Sequence, residues 1–149
     1  MLRDVTAFAL AVTLQLVCTP TPEVRLLPGV IDSAKGIDPV WLVDGAAAGT
    51  NEPVKTLWVF RAAGPVRVEG REIRTGKTTR FRLGSESPIT DAIVLADAKR
   101  ASAIPGGASR EVMAEYAFLP SHVFYPVSGC YAFTIQLDHS THRIVVEVK

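Results

Sequence analysis

The C-terminal part of the chain alternates between apolar and polar side chains. If residues 138–141 form a turn, Leu137 lies opposite His142 and Ile135 lies opposite Ile144 in an antiparallel hairpin. Successive residues of a strand point to opposite faces, so the alternation gives this hairpin one apolar and one polar face. The apolar face consists of Tyr131, Phe133, Ile135, Leu137, Ile144, Val146 and Val148. The opposite face carries Thr134, Gln136, Arg143, Glu147 and Lys149, together with Ala132 and Val145. The pattern predicts one wall of an antiparallel β-sandwich.

Upstream of this hairpin, short β-rich runs alternate with residues typical of turns. The predicted strands are 40–43, 56–61, 66–69, 79–83, 92–95, 112–118, 131–137 and 142–148, and the breakers between them include Gly64, Pro65, Gly76, Pro88, Pro105, Pro120 and Pro126. Turns about every 8–12 residues are typical of a β-sandwich or β-barrel. No stretch after Glu23 has a convincing amphipathic helical pattern. The sequence therefore predicts an all-β domain over residues 23–149.

The N-terminus has a different character. Residues 5–17 form an apolar stretch of 13 residues, preceded by Arg3 and followed by Cys18 and the Pro-containing residues 19–23. A membrane-spanning helix needs about 20 apolar residues, whereas 13 matches the apolar region of a secretory signal. Residues 1–22 are therefore interpreted as a signal peptide or lipoprotein anchor plus linker, with Cys18 as a candidate lipidation site. The alternative is a structural segment that packs within the domain.

The length and net charge of the chain limit the kinds of function that it is expected to have. The chain has 149 residues, a mass of 16.0 kDa and a net charge of +1, which fits one domain and gives no overall attraction to nucleic acid or anionic lipid. We find no paired carboxylates near a histidine and no nucleophile motif. The protein is therefore not expected to be an enzyme, and no cofactor is predicted.

One C-terminal segment resembles a known group of proteins. Residues 119–133 include Pro126-Val127-Ser128-Gly129-Cys130-Tyr131, which is similar to the closing strands of uncharacterised bacterial exported domains, some of them lipoproteins, that carry a Pro-x-x-Gly-Cys-Tyr/Trp signature. The runs at residues 39–42 and 56–59 are compatible with that group. The resemblance implies an immunoglobulin-like antiparallel β-sandwich of about seven to eight strands and supplies no catalytic motif. The sequence departs from antibody domains because the region of the predicted strands contains a single cysteine, Cys130.

The two cysteines, Cys18 and Cys130, allow several interpretations. If the N-terminal segment is removed or Cys18 carries lipid, Cys130 is a lone buried thiol at the start of a strand, which is the interpretation we favour. If the segment is retained in an oxidising compartment, a disulfide between Cys18 and Cys130 is the alternative. A catalytic thiol paired with His142 is not expected, because the two residues fall at opposite ends of the predicted hairpin.

The turn of the terminal hairpin brings together Asp138, His139 and His142. Imidazole and carboxylate groups are ligands for zinc or copper, so this turn is a weak candidate metal site. A structural zinc site needs four ligands, and His122 is the one further histidine in the sequence. We interpret the three residues as exposed turn residues and keep a small periplasmic metal-binding β-sandwich as the alternative function.

A basic strip is the second candidate surface. Residues 61–83 contain seven Lys or Arg and two Glu, and strand parity places Arg67, Arg71, Arg80 and Arg82 on one outer face of a predicted hairpin with its turn at residues 75–77. Such a strip suits phosphates of an envelope polymer or lipid headgroups, although a solvated sheet face is the simpler interpretation. Nucleic acid is not expected as a partner, because no aromatic side chains lie among the arginines on that outer face.

Together these features predict a non-enzymatic interaction or structural module of the bacterial cell envelope. It would be exported to the periplasm or cell surface, or tethered to the membrane through its N-terminus. Its partner would be an envelope protein or polymer that the sequence does not identify.

Overall fold

The structure is a computed structural model that describes residues 17–44 and 52–149. Within these ranges lie ten strands and one short helix: β1 Glu23–Val24, β2 Ala34–Ile37, β3 Val40–Asp44, β4 Pro53–Phe60, β5 Val66–Glu72, β6 Arg80–Arg82, β7 Ile93–Leu95, α1 Arg110–Glu115, β8 Ala117–Phe124, β9 Gly129–Leu137 and β10 Ser140–Val148. All strand pairs are antiparallel. The predicted all-β sandwich is confirmed, with more strands than the seven to eight expected. The predicted apolar segment lies outside the described residues apart from Val17.

The strands form two sheets that enclose one main core. The first sheet has the order β1-β2-β3-β4-β8-β6 and the second has the order β10-β9-β5-β7. Trp58 of the first sheet meets Phe133 of the second edge to face, with ring centroids 5.2 Å apart. The Trp58 indole N–H donates a hydrogen bond to Ser121 Oγ at 3.0 Å, so the largest core side chain is buried without leaving its polar atom unpaired.

The terminal hairpin has the predicted faces but a shifted register. Ser140 pairs with Leu137 and Ile144 pairs with Phe133, so the turn consists of two residues, Asp138 and His139, rather than the predicted four. Asp138 adopts a positive φ of 49°, a conformation that Asp tolerates better than most residues. A shift of two residues preserves parity, and all seven predicted apolar side chains are therefore buried.

The predicted strand at residues 112–118 is wrong. Residues Arg110–Glu115 form α1, and β8 begins only at Ala117. Ser109 caps the helix, because its side chain accepts a hydrogen bond from the Val112 N–H at 3.2 Å. At the other end, Lys99 Nζ donates to the carbonyls of Met113, Ala114 and Tyr116 at 2.8–2.9 Å, which satisfies acceptors that a helix C-terminus leaves open.

A second apolar cluster covers part of the outer face of the first sheet. Its buried members are Ile31, Ala34, Trp41, Val59 and Phe118, and Val112 and Met113 of α1 pack against them. Trp58 and Val59 are adjacent in sequence and both fully buried, one on each face of β4. This sheet therefore has apolar side chains on both faces, which obscures the simple alternation expected of a solvent-facing sheet.

Pro120 lies inside β8 rather than between strands as predicted. Phe118 directs its N–H to Ser102 Oγ and its carbonyl to the Ala103 N–H, so the backbone groups of Phe118 point away from β4. Pro120 is two residues further and points the same way. Along β8, β6 pairs with residues 122–124, so the proline ring lies on a side of β8 where no strand needs its missing N–H.

Two short strands near the N-terminal edge were not predicted. β2 pairs with β3, and β1 pairs with β2. β2 has the sequence AKGI, which combines a lysine and a glycine with only one large apolar residue and so gives little strand signal. No helix among the described residues has the length and apolar character to cross a membrane.

Replacing Phe133 by Ala tests the contact between the two sheets. We expect Phe133→Ala to lower the free energy of unfolding by about 3–5 kcal/mol, because it removes a fully buried ring from the centre of the core. Urea denaturation measures the change. The matched control is Thr134→Ala, at the next residue on the exposed face, which should change stability by less than about 0.5 kcal/mol. Equal effects of the two substitutions would contradict the assignment of faces.

Candidate functional site

A disulfide joins the N-terminal segment to the second sheet. Cys18 is bonded to Cys130, the second residue of β9, with Cα atoms 5.6 Å apart. The favoured interpretation of Cys130 as a lone buried thiol is therefore wrong, and the alternative pairing is the one the structure has. Both sulfur atoms are consumed by the bond, so a catalytic thiolate at Cys130 is excluded in this state.

Residues after Cys18 continue along the edge of the second sheet. The Thr21 N–H donates to the Val145 carbonyl at 2.9 Å, and the Val145 N–H donates to Thr21 Oγ1 at 2.8 Å. Val145 faces away from the core, yet it is 7% exposed. The predicted linker therefore packs against β10 and uses backbone groups that a free edge strand would expose.

A buried carboxylate lies close to the same part of β9, because Glu72 pairs with Tyr131, the residue after Cys130. Glu72, the last residue of β5, points inward and is 1% exposed. Its Oε2 accepts hydrogen bonds from the Thr75 N–H at 2.6 Å and the Thr75 hydroxyl at 2.7 Å. Its Oε1 has no hydrogen-bond partner among the described residues, and Arg74 Nε lies 3.9 Å away. The hydrogen bond from the Thr75 hydroxyl is the main reason that the pKa of Glu72 is lowered, and burial opposes it.

Gly129 makes room for this carboxylate. Its φ of 153° lies in a region that favours glycine, and a Cβ at this position would lie 2.8 Å from Glu72 Oε1. Tyr131, two residues later, donates its hydroxyl proton to the Val127 carbonyl at 2.6 Å and accepts from the Val127 N–H at 3.2 Å. Gly129, Cys130 and Tyr131 of the C-terminal segment thus each have a distinct structural role at this corner.

A cavity of about 330 Å³ opens beside the disulfide, lined by Cys18, Arg74, Gly129, Cys130, Glu147 and Lys149 among others. Its charged rim mixes two cations with one carboxylate. The two cysteine sulfur atoms are bonded to each other, and Ser128 also lines the cavity. The arrangement stabilises this corner of the fold.

The terminal turn does not assemble a metal site. His139 Nε2 lies 3.5 Å from Asp138 Oδ1, and both side chains are exposed. His142 Nε2 instead contacts Ser140 Oγ at 2.8 Å. Across residues 17–44 and 52–149, no group of three His, Cys, Asp or Glu side chains is placed to hold a metal ion. The structure therefore does not favour the metal-binding alternative.

The four arginines of the predicted basic strip do not share one face. Arg67 and Arg71 lie on β5 in the second sheet, whereas Arg80 and Arg82 lie on β6 in the first sheet. The predicted turn at residues 75–77 does form, with Glu72 N–H bonded to the Lys77 carbonyl at 2.8 Å. After Thr79 the chain crosses from the second sheet to the first, so the hairpin is shorter than predicted. The prediction of one continuous basic strip is therefore wrong.

Local contacts also differ among these arginines. Arg67 donates to Glu69 Oε1 at 2.6 Å, which leaves this pair close to neutral. Arg82 lies with its guanidinium carbon 5.7 Å from the centre of the Phe124 ring.

Sequence reasoning missed Glu72 because the predicted strand ended at Glu69. Extending the alternation of Val66 and Val68 by two further steps would have placed Gly70 and Glu72 on the inward face, as the structure does. A charged residue at an inward strand position is the available signal for such a group.

Breaking the disulfide should destabilise the domain. The bond closes a loop across 112 residues of sequence separation, and we expect its loss to lower the free energy of unfolding by about 2–4 kcal/mol. Urea unfolding of the oxidised chain with and without reductant measures this. The double variant Cys18→Ser/Cys130→Ser is the control, and it should match the reduced protein and not respond to reductant. A change below about 0.5 kcal/mol would contradict a structural role.

Glu72 should make stability fall in acid. Its folded-state pKa is below the ordinary value of 4.5, so the carboxylate favours the folded state above that value, and the contribution is lost as pH falls through the folded-state pKa. Glu72→Gln should therefore reduce the loss of stability between about pH 5 and pH 3, measured by urea unfolding at each pH. Thr75→Val, which removes the hydroxyl donor, should reduce the same slope. A Glu72→Gln variant that keeps the full wild-type slope would contradict this assignment.

Comparisons with known proteins identify one structure with a similar fold, but they do not assign the chain to a family. No protein-family model matches the chain, and no curated protein matches it. Among solved structures, the fold is similar to the crystal structure of "a Putative Lipoprotein from Bacillus anthracis". The TM-score is 0.57, with 16% sequence identity over 98% of this chain and 99% of that chain. At this identity the likeness establishes a shared β-rich fold over nearly the whole length.

Proposed function

We propose that this protein is an exported, non-enzymatic β-sandwich module of the bacterial cell envelope. The observation that carries the proposal is the Cys18–Cys130 disulfide. Disulfides persist in oxidising compartments such as the periplasm and the cell surface, and they are rare in the cytosol. The fold likeness to a protein described as a lipoprotein is compatible with this location.

The place of Cys18 in the sequence supports export through the N-terminal segment. Cys18 follows directly after the apolar stretch of residues 5–17, which has the length of a signal region. A signal that is cleaved before Cys18 would leave this residue on the mature chain, where it is needed for the bond to Cys130. Thr21 and its hydrogen bonds to Val145 would remain as well.

Lipidation of Cys18 and the disulfide are mutually exclusive. A thioether-linked lipid occupies the same Sγ atom that bonds to Cys130, so one chain carries either the lipid or the disulfide. We propose the disulfide-bonded, lipid-free form as the folded state described above. Membrane tethering through Cys18 would release Cys130 as a free thiol.

We propose a binding or structural role because, among the described residues, several side chains with catalytic potential are engaged in structural contacts. The thiol of Cys130, which the sequence offered as a nucleophile, is used in the disulfide. Glu72 is held by Thr75, and His142 contacts Ser140 rather than a nucleophile. The partner we propose is another envelope component, a protein or a polymer.

Mass spectrometry of the full chain from a bacterial host tests the proposal. The cells are fractionated, free thiols are alkylated before lysis, and intact masses are compared with and without reductant. We expect the protein in the exported fraction, with Cys18 retained, no alkylation, and one hydrogen gained per sulfur on reduction.

Two results would contradict parts of this account. A lipid adduct on Cys18 with Cys130 alkylated would replace the lipid-free form by a tethered one. Cytosolic protein with both cysteines alkylated would overturn export itself. The control is the Cys130→Ser variant. Because Cys18 then has no partner for the disulfide, its thiol must react with the alkylating reagent.

A further inference from the structure

Three basic side chains form a row across the first sheet. In the strand register, His122 of β8 lies opposite Lys55 of β4 on one side and opposite Arg82 of β6 on the other. Directly opposed residues of antiparallel strands point to the same face, with Cβ atoms about 4.5–5.5 Å apart. The three side chains are therefore immediate neighbours, although they are far apart in sequence.

This basic row, Lys55–His122–Arg82, lies on the outer face of the sheet. Its sequence neighbours Thr56, Ser121 and Phe81 are buried on the opposite, inward face. Asp44 lies opposite Thr56 and pairs with Lys35 on that inward side, at 3.1 Å. The described outward positions of β4, β8 and β6 carry no acidic residue: Pro53, Lys55, Leu57, Val59, Phe118, Pro120, His122, Phe124, Arg80 and Arg82.

Two nitrogen atoms of the row are buried without a hydrogen-bond partner. These are Arg82 Nε and His122 Nδ1, which belong to directly opposed residues. Of the carboxylates described, none lies within ion-pair distance of Lys55 or Arg82; the nearby pair is Arg80 with the exposed Asp91, at 4.0 Å. Buried polar groups in native proteins almost always have a partner. Two adjacent unpaired nitrogens within a cationic row therefore indicate a place for an anion.

An apolar cavity adjoins the same row. It has a volume of about 450 Å³, and Lys55 and His122 form one side of it. Val43, Leu57, Leu83 and Pro120 supply its apolar lining, and Asp44, Thr56 and Ser121 also line it. The Asp44 carboxylate is paired with Lys35 at 3.1 Å. This volume falls within the range of sites that bind small molecules, which typically combine an apolar lining with a few polar groups.

We infer that this surface is a binding site for a small amphiphilic anion. Lys55, His122 and Arg82 would hold a phosphate or carboxylate headgroup, and the adjoining cavity would take a short apolar chain. The Arg82 guanidinium, which lies over the Phe124 ring at 5.7 Å from its centroid, presents planar donors that suit either headgroup. Arg67 and Arg71 lie in the other sheet and take no part. The inference does not depend on the proposed export of the protein.

Binding to octyl phosphate tests the site in the folded, full-length protein. Backbone amide shifts are followed by NMR during titration, with inorganic phosphate and octanol as separate probes. Octyl phosphate should shift amides of β4, β6 and β8 and should bind about tenfold more tightly than either probe alone. No saturable shift in these strands with octyl phosphate would overturn the inference.

Two variants test the contacts of the ligand's headgroup and of its apolar chain separately. Arg82→Gln should weaken octyl phosphate binding by about fivefold or more, whereas the control Arg67→Gln in the second sheet should change it by less than about twofold. Leu57→Phe, which fills the cavity, should weaken octyl phosphate and leave inorganic phosphate unaffected. Thermal unfolding verifies that each variant is folded. Equal effects of Arg82→Gln and Arg67→Gln would overturn the inference.

Vesicles distinguish the source of the headgroup. Vesicles of phosphatidylglycerol are sedimented with the protein in the presence and absence of octyl phosphate. Protein that is bound to vesicles and displaced by octyl phosphate would identify a membrane lipid as the source, and protein that binds octyl phosphate but not vesicles would identify a free amphiphile. Vesicle binding that octyl phosphate does not displace would show a diffuse electrostatic contact and overturn the site.

Discussion

The packing of the two inner sheet faces against each other is the constraint on which the rest of this structure depends. Trp58 and Phe133 meet at the centre of that interface, and Tyr125 packs edge to face on Tyr131 nearby, with centroids 4.8 Å apart. Their burial requires each contributing strand to keep a strict two-residue period. That period also decides which charged residues face outward, so the candidate surfaces are consequences of the core.

The corner at the start of β9 connects this core to the N-terminal segment. Cys130 lies between Gly129, which accommodates the Glu72 carboxylate, and Tyr131, which closes the preceding loop through Val127. Cys18 is bonded at the same point. A short segment thus combines a covalent bond, a buried charge and a hydrogen-bonded loop, which explains why the N-terminal residues belong to the folded unit from Cys18 onward.

The sequence predicted the features that depend on local periodicity. The faces of β9 and β10 followed from alternation over long stretches, and a register error of two residues left them unchanged. The helix α1 was missed because Val112, Ala114, Tyr116 and Phe118 fit a two-residue period. Capping by Ser109 and Lys99 decided the outcome.

Features that depend on distant parts of the chain were harder to predict. The disulfide could be named only as an alternative, since no local pattern brings residue 18 beside residue 130. The basic strip was divided because the chain changes sheet after Thr79, and strand parity carries no information about that crossing. The row of Lys55, His122 and Arg82 likewise exists only through the pairing of three strands.

Nuclear Overhauser contacts in the full-length protein test the central claim most directly. The account predicts contacts between the Trp58 indole and the Phe133 ring, which belong to opposite sheets, together with cross-strand contacts between His142 and Ile135. A Trp58 indole that exchanges rapidly with solvent and shows no contact to Phe133 would contradict a sandwich closed over these inner faces.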